Sequence, residues 1–194
     1  MAADSRKGRL PVVIDVRIPK RVGGFMRVRE IMTSRPVHCR PADSAAAVAR
    51  VMKEQGMGFV PICHSLNDRL LVGVVTDRDI VVAVIAKGRD AASVRMMEIM
   101  TLGPVTCRPD DAVEDVLEVM RRHRIRRLPV VGEDDLLVGI ITLADIAASG
   151  ECPHETAEVM KAVSNLRTAN VAHTNAAHPN AGFAGALFHQ STHP

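Results

Sequence analysis

Leu70-Leu71-Val72-Gly73-Val74-Val75-Thr76-Asp77-Arg78-Asp79-Ile80 returns as Leu136-Leu137-Val138-Gly139-Ile140-Ile141-Thr142-Leu143-Ala144-Asp145-Ile146, with seven of eleven positions identical. Upstream the match continues at a slightly longer offset. Residues 28–62 agree with residues 96–130 at 14 of 35 positions. Among these are Glu30-Ile31-Met32-Thr33 against Glu98-Ile99-Met100-Thr101, and Pro36-Val37 against Pro104-Val105. A duplication of this length decides the architecture: one supersecondary unit built twice.

Each copy has the same pattern. A short strand follows a proline (Val37–Cys39; Val105–Cys107). An aspartate suited to helix capping comes next, Asp43 or Asp111, with Glu114 placed for a capping box in the second copy. An amphipathic helix follows, marked by Val48, Val51 and Met52, then by Val116, Val119 and Met120. Two strands succeed it, Phe59–Cys63 with Leu70–Val75, and Leu128–Val131 with Leu136–Ile141. Asn67-Asp68 and Gly132-Glu133-Asp134 supply the turns between them. A second helix starts at Thr76 or Thr142. The fold class is mixed α/β (α+β), as two β-α-β-β-α repeats. One unit of this size buries too little surface alone, so the two pack with pseudo-twofold symmetry.

The expected organisation is an N-terminal extension (1–27), repeat one (28–90), repeat two (94–150), a C-terminal helix (151–168) and a disordered tail (169–194). Val12, Ile14, Val16 and Ile18 alternate as an edge strand would, and Pro153 suits a first helical turn. No apolar run reaches the length of a membrane span, and no signal segment is visible, so a cytoplasmic location without membrane contact is expected.

Net charge is +3, and the chain has no Trp, no Tyr and four Phe. The core must therefore be aliphatic. Nucleic acid is a poor partner, because stacking platforms are missing. The residues offer no Ser-His-Asp order, no phosphate-binding P-loop and no metal triad, so catalysis and a resident metal are not expected.

The pattern Ile31-Met32-Thr33, Pro36-Val37, Pro61-Ile62, Gly73 to Thr76 and Asp79-Ile80, repeated in the second copy, resembles the cystathionine-β-synthase (CBS) domain. Two copies in tandem resemble a Bateman module with no catalytic or transporter domain attached. The resemblance implies a regulatory sensor that needs no obligatory cofactor. Its ligand would be AMP, ADP, ATP or S-adenosylmethionine, held in the cleft between repeats, and it would signal to an unidentified regulated protein. It also implies roles for Thr76 and Asp79, and for Thr142 and Asp145: the aspartate on the ribose, the threonine on phosphate. By position, Thr33, Val37, Gly58 and Phe59, and Thr101, Val105, Arg126 and Arg127, would line the pocket, with Arg78 beside the first motif.

Chemistry agrees, since a carboxylate accepts from a cis diol and free amides at a helix start suit a phosphate. Thr-x-x-Asp is equally a good helix cap without any ligand. Phe59 fits core or pocket, and the arginines from Arg121 to Arg127 fit phosphate or a solvated helix end. A redox or stress-sensing alternative rests on Cys39 and Cys63, which fall on neighbouring parallel strands within disulfide reach and leave no nucleotide role. Strand alternation argues against adding His38 and His64 as zinc ligands. The segment Ile80-Val81-Val82-Ala83-Val84-Ile85-Ala86 is apolar almost all round. It asks for a second cover, either a homodimer through the helices beginning near Ser44, Thr76, Asp111 and Thr142, or the chain's own flanks.

Overall fold

The computed structural model describes residues 14–15 and 26–175. After β1 (Ile14–Asp15), repeat one runs α1 (Val28–Ile31), β2 (Thr33–Ser34), α2 (Ala45–Gln55), β3 (Phe59–Cys63), β4 (Leu71–Thr76) and α3 (Asp77–Ile80). Repeat two runs from a 3-10 turn (Met96–Glu98) through β5 (Thr101–Leu102), β6 (Val105–Thr106), α4 (Val113–His123), β7 (Arg127–Val131), β8 (Leu137–Thr142) and α5 (Leu143–Ser149). A long helix, α6 (Pro153–Asn175), closes the described chain.

The central hairpins form as expected, and in the same register. Phe59 pairs with Thr76 and Arg127 with Thr142, and each hairpin has its irregularity one residue before the strand end, at Ile62/Cys63 and at Val130/Val131. The third strand of each sheet is borrowed. β5 joins β3 and β4, whereas β2 joins β7 and β8. The leading arm of each repeat thus docks on the other repeat. Val28 is buried in the second core beside Val116, Leu128 and Ile146, with Ile31 and Met32 packed against it. Met96 is buried in the first core beside Val48, Ile62 and Val75. One lobe is therefore residues 37–102, and the other joins 26–34 to the chain after 105. Cys63, Leu71, Val131 and Leu137 form the apolar contact between lobes, and a Leu70–Leu136 bridge crosses the pseudo-twofold axis.

Several local expectations change. The strand over Val37–Cys39 shrinks to a single parallel bridge, Cys39 with Ile62. Its counterpart is a strand at Val105–Thr106 because β1 pairs with it in parallel. Ile14–Asp15 is the part of the alternating 10–18 segment within the described residues. Asp43 and Asp111 do not cap helices. Each turns back to accept the backbone N–H three residues earlier, from Arg40 and Arg108, at 2.7 Å. Ser44 caps α2 instead, and Ala112 begins α4 with no side-chain cap, so the Glu114 capping box does not form.

α6 continues to Asn175, past the expected end at 168 and through the first residues of the expected tail, whose remainder lies outside the described residues. It covers the second repeat's helices, with Val159 in the core beside α4. Among the described residues, the equivalent face of repeat one has no such cover. There α3 passes into a π-turn (Val81–Ile85), which buries Val84 but leaves Val81, Val82 and Ile85 at 55%, 50% and 60% exposure. No helix among the described residues is long and apolar enough to cross a membrane.

Candidate functional site

The hairpin register places Thr76 at the end of β4, beside Phe59, and the chain turns there into α3. The Thr76 hydroxyl accepts from the Asp79 N–H at 3.2 Å and donates to Asp79 Oδ2 at 2.7 Å. The same Oδ2 also accepts from the Thr76 N–H at 2.8 Å. Thr142 and Asp145 repeat this box, with corresponding distances of 3.1, 2.8 and 2.9 Å. The cap therefore occupies one carboxylate oxygen and leaves Oδ1 of each aspartate without a hydrogen-bond partner among the described residues. Capping and ligand binding are compatible in one residue.

The phosphate role expected of this helix start does not survive the hydrogen-bond accounting. The Asp77 N–H donates to the Gly58 carbonyl, the Arg78 N–H to Asp77 Oδ1, and the Asp79 N–H to Thr76. The Thr76 proton is committed to Asp79. Among the described residues, no free amide or hydroxyl remains there for an oxyanion.

Between the lobes lies a cavity of about 640 Å³. Its repeat-one wall includes Gly58, Phe59, Thr76, Arg78 and Asp79. Its other wall includes Thr101, Val105, Arg126 and Arg127. Nine of the thirteen expected residues thus share one cavity. Thr33, Val37, Thr142 and Asp145 hold the pseudo-symmetric positions and stand apart from it. Phe59 is both buried and part of the wall.

The sequence reading missed Asp77 and Val163, and weighed Arg124 only as part of the arginine run. Asp77 packs so tightly on Gly58 that a Cβ there would lie 2.6 Å from Asp77 Oδ2. Arg124 ends α4, and its place in the arginine run was a usable signal. Val163 comes from α6, outside both repeats, and nothing in the sequence pointed to it.

The cysteines do not form the expected alternative. Cys39 belongs to the core of lobe one, whereas Cys63 faces the contact between lobes. Cys63 follows Ile62, the residue in register with Cys39, and successive strand residues project to opposite faces. Both are free thiols. Burial pushes Cys39 up to about 11 and Cys63 up to about 12, which keeps them protonated and unreactive at neutral pH. Cys152 is raised to about 11 by burial and by the Glu114 carboxylate.

The CBS domain model matches residues 28–86 and 96–150. Hypoxic response protein 1 of Mycobacterium tuberculosis is 35% identical over 119 residues, which is 61% of this chain and 81% of that protein. A crystal structure of Hypoxic Response Protein I covers 63% of this chain and 98% of its own, with TM-score 0.57. CBSX2, solved in complex with AMP, is 26% identical, with TM-score 0.57 over 66% of this chain and 96% of its own. The CBS domain pair of MJ0100, solved with 5-methylthioadenosine and S-adenosyl-L-methionine, is also 26% identical, with TM-score 0.56 over 66% and 97%. Repeated sequence, exchanged arms and interlobe cavity thus converge with these matches: the chain belongs to the CBS domain family and carries two CBS domains in tandem.

Proposed function

We propose that this chain is a regulatory module that binds an adenosyl ligand in the interlobe cavity and passes its occupancy to a partner protein. The observation that carries this is the free Oδ1 of Asp79, an acceptor for a ribose diol beside a cavity built by both repeats. The cavity's volume lies within the range of small-molecule sites. The ligands held by CBSX2 and by MJ0100 define the chemical class. Val163 makes α6 the output element in this reading, because a ligand in the cavity meets a helix that belongs to neither repeat. We further propose that a second copy of the chain covers Val81, Val82 and Ile85, giving a homodimer through repeat one.

A thermal-shift screen with AMP, ADP, ATP and S-adenosylmethionine tests the binding. Ligand at a hundred times its Kd stabilises by about 2.7 kcal/mol. At about 2–4 °C per kcal/mol, the melting temperature rises by roughly 5–11 °C. Asp79→Ala should abolish that rise while the variant stays folded, because a lost cap costs about 0.5–2 kcal/mol. Absence of a shift with every ligand refutes the reading.

A further inference from the structure

Cys152 is half-buried, unlike the three cysteines of the repeats, and it ends the link from α5 to α6. Its Sγ, a carboxylate oxygen of Glu151 and one of Glu114 all lie within 4.8 Å of one another. Glu114 comes from the first turn of α4, far back in the chain, so no spacing in the sequence announces the set. Neither Glu114 nor Glu151 has an ion pair with any described residue. Other acids on these helices do: Glu118 meets Arg121 at 2.8 Å, and Glu158 meets Lys161 at 2.7 Å. Two carboxylates and a thiol thus share one spot without a basic partner among the described residues.

A second observation falls at the same seam. Glu114 Oε2 is buried without a hydrogen-bond partner, and so is Oγ1 of Thr156, a residue only 5% exposed. Thr156 stands one helical turn beyond Cys152, whose carbonyl accepts its N–H at 2.9 Å. Val159 and Val163 follow on the same helix face, and both pack in the core that α4 builds. That face is turned to α4, so the Thr156 hydroxyl lies in the seam that Glu114 enters from the other side. Buried polar atoms left unpaired are costly, and an ion between them removes the cost. Repeat one has Ala46 at the position of Glu114, and Ile85 and Ala86 at those of Glu151 and Cys152. The repeat fold itself therefore asks for no polar group here.

We infer that Glu114, Glu151 and Cys152 form a binding site for a divalent cation of the zinc class, with the Thr156 hydroxyl steadying a ligand carboxylate. One thiolate with two carboxylates suits zinc, whereas magnesium and calcium take oxygen ligands alone. Zinc–sulfur bonds of about 2.3 Å and zinc–oxygen bonds of about 2.0–2.2 Å set the ligand atoms of a tetrahedral site about 3.3–3.7 Å apart. Small rotations of the two glutamates close the set to that spacing. Three protein ligands leave the fourth position to water, and the thiol proton goes to solvent as the ion binds. The ion clamps the start of α6 to α4, and α6 carries Val163 to the interlobe cavity. The site stands independently of the adenosyl reading.

Calorimetric titration of the full chain, first stripped with a chelator, tests this with zinc, and cobalt(II) supplies a spectrum. One zinc ion per chain should bind and raise the melting temperature, and neither magnesium nor calcium should compete. Cobalt should show a thiolate-to-metal charge-transfer band in the near ultraviolet, and Cys152→Ser should remove it. Cys152→Ser, Glu114→Gln and Glu151→Gln should each weaken zinc by about tenfold or more, since even groups behind the ligands cost that much, and each should lose the zinc-dependent rise in melting temperature. Glu151 is exposed, so its variant keeps the test open should either half-buried one fail to fold. Absence of zinc binding, a cobalt complex without the sulfur band, or unchanged zinc affinity in any folded variant overturns the inference.

Discussion

Replacing Gly73 by alanine probes the exchanged arm and the cavity together. Gly73 lies in β4, in register with Ile62 on one side and Leu102 on the other. A Cβ there would stand 2.9 Å from the Thr101 carbonyl oxygen and 3.0 Å from Met100 Sδ. The methionine can swing away, but the carbonyl is backbone, and β5 must lift to clear it. Overpacking of this kind costs about 1–3 kcal/mol, and alanine recovers about 0.4–1 kcal/mol by restricting the unfolded chain. The net loss is about 1–2 kcal/mol, or roughly 2–8 °C in melting temperature. Since β5 brings Thr101 and Leu102 to the cavity wall, nucleotide affinity should fall as well. Gly139→Ala is the internal comparison. Its Cβ meets Met32 Sδ at 2.6 Å but the Thr33 carbonyl only at 3.1 Å, and its arm does not border the cavity. It should cost less stability and leave affinity intact. Differential scanning fluorimetry and calorimetric titration read both quantities. A Gly73→Ala variant with unchanged melting temperature and affinity would refute the arm's seating on β4.

The His64 imidazole, aided by the Leu70 and Ser65 amides, holds the Asp68 carboxyl down to about 2 from an ordinary 3.8. The unfolded chain takes up that proton first, so this contribution is complete above about pH 4 and is lost as pH falls to about 2; Asp68→Asn should flatten the acid-melting curve in that window. Ellman titration of unreduced protein in denaturant should find all four thiols, and the native protein should react slowly; two thiols in denaturant would restore the Cys39–Cys63 disulfide. Light scattering at micromolar concentration should give twice the mass of one chain. Val81→Asp with Ile85→Asp should halve it without loss of fold, and a wild-type monomer would remove the homodimer.

What the sequence made legible was the part that repeats. Identities at a fixed offset carry strand register directly, which is why Phe59 opposite Thr76 and Arg127 opposite Thr142 were within reach. Symmetry spread thirteen site residues over two equivalent clefts, and one cavity gathers nine of them. The docking of Val28 and Met96 on opposite lobes was not readable from local pattern, because their partners lie far along the chain. Gly73 and Gly139 were a clue, as a mid-strand glycine marks a close approach of backbone. Asp43 and Asp111 failed as caps because an aspartate before a helix can bond backward to an amide as readily as forward. The free amides expected at α3 were consumed by Asp77 and Gly58, a short-range competition that composition does not reveal.

The crossed arms also set an order of events during synthesis. Residues 37–102 are continuous, so lobe one has all its parts once Leu102 has emerged. The arm at 26–34 has no such company. The Val28 N–H donates to the Asp111 carbonyl, and Thr33 lies in register with Ile140. At a translation rate of about 5–20 residues per second, the first arm waits on the order of 5–20 s for the strand that will hold it. Throughout that interval Val28, Ile31 and Met32 stay a sticky, unclaimed thread, first beside an unfinished lobe and then trailing from a finished one. The nascent protein is most exposed to misassociation at this arm, and it becomes safe only when its second half closes over Val28, Ile31 and Met32.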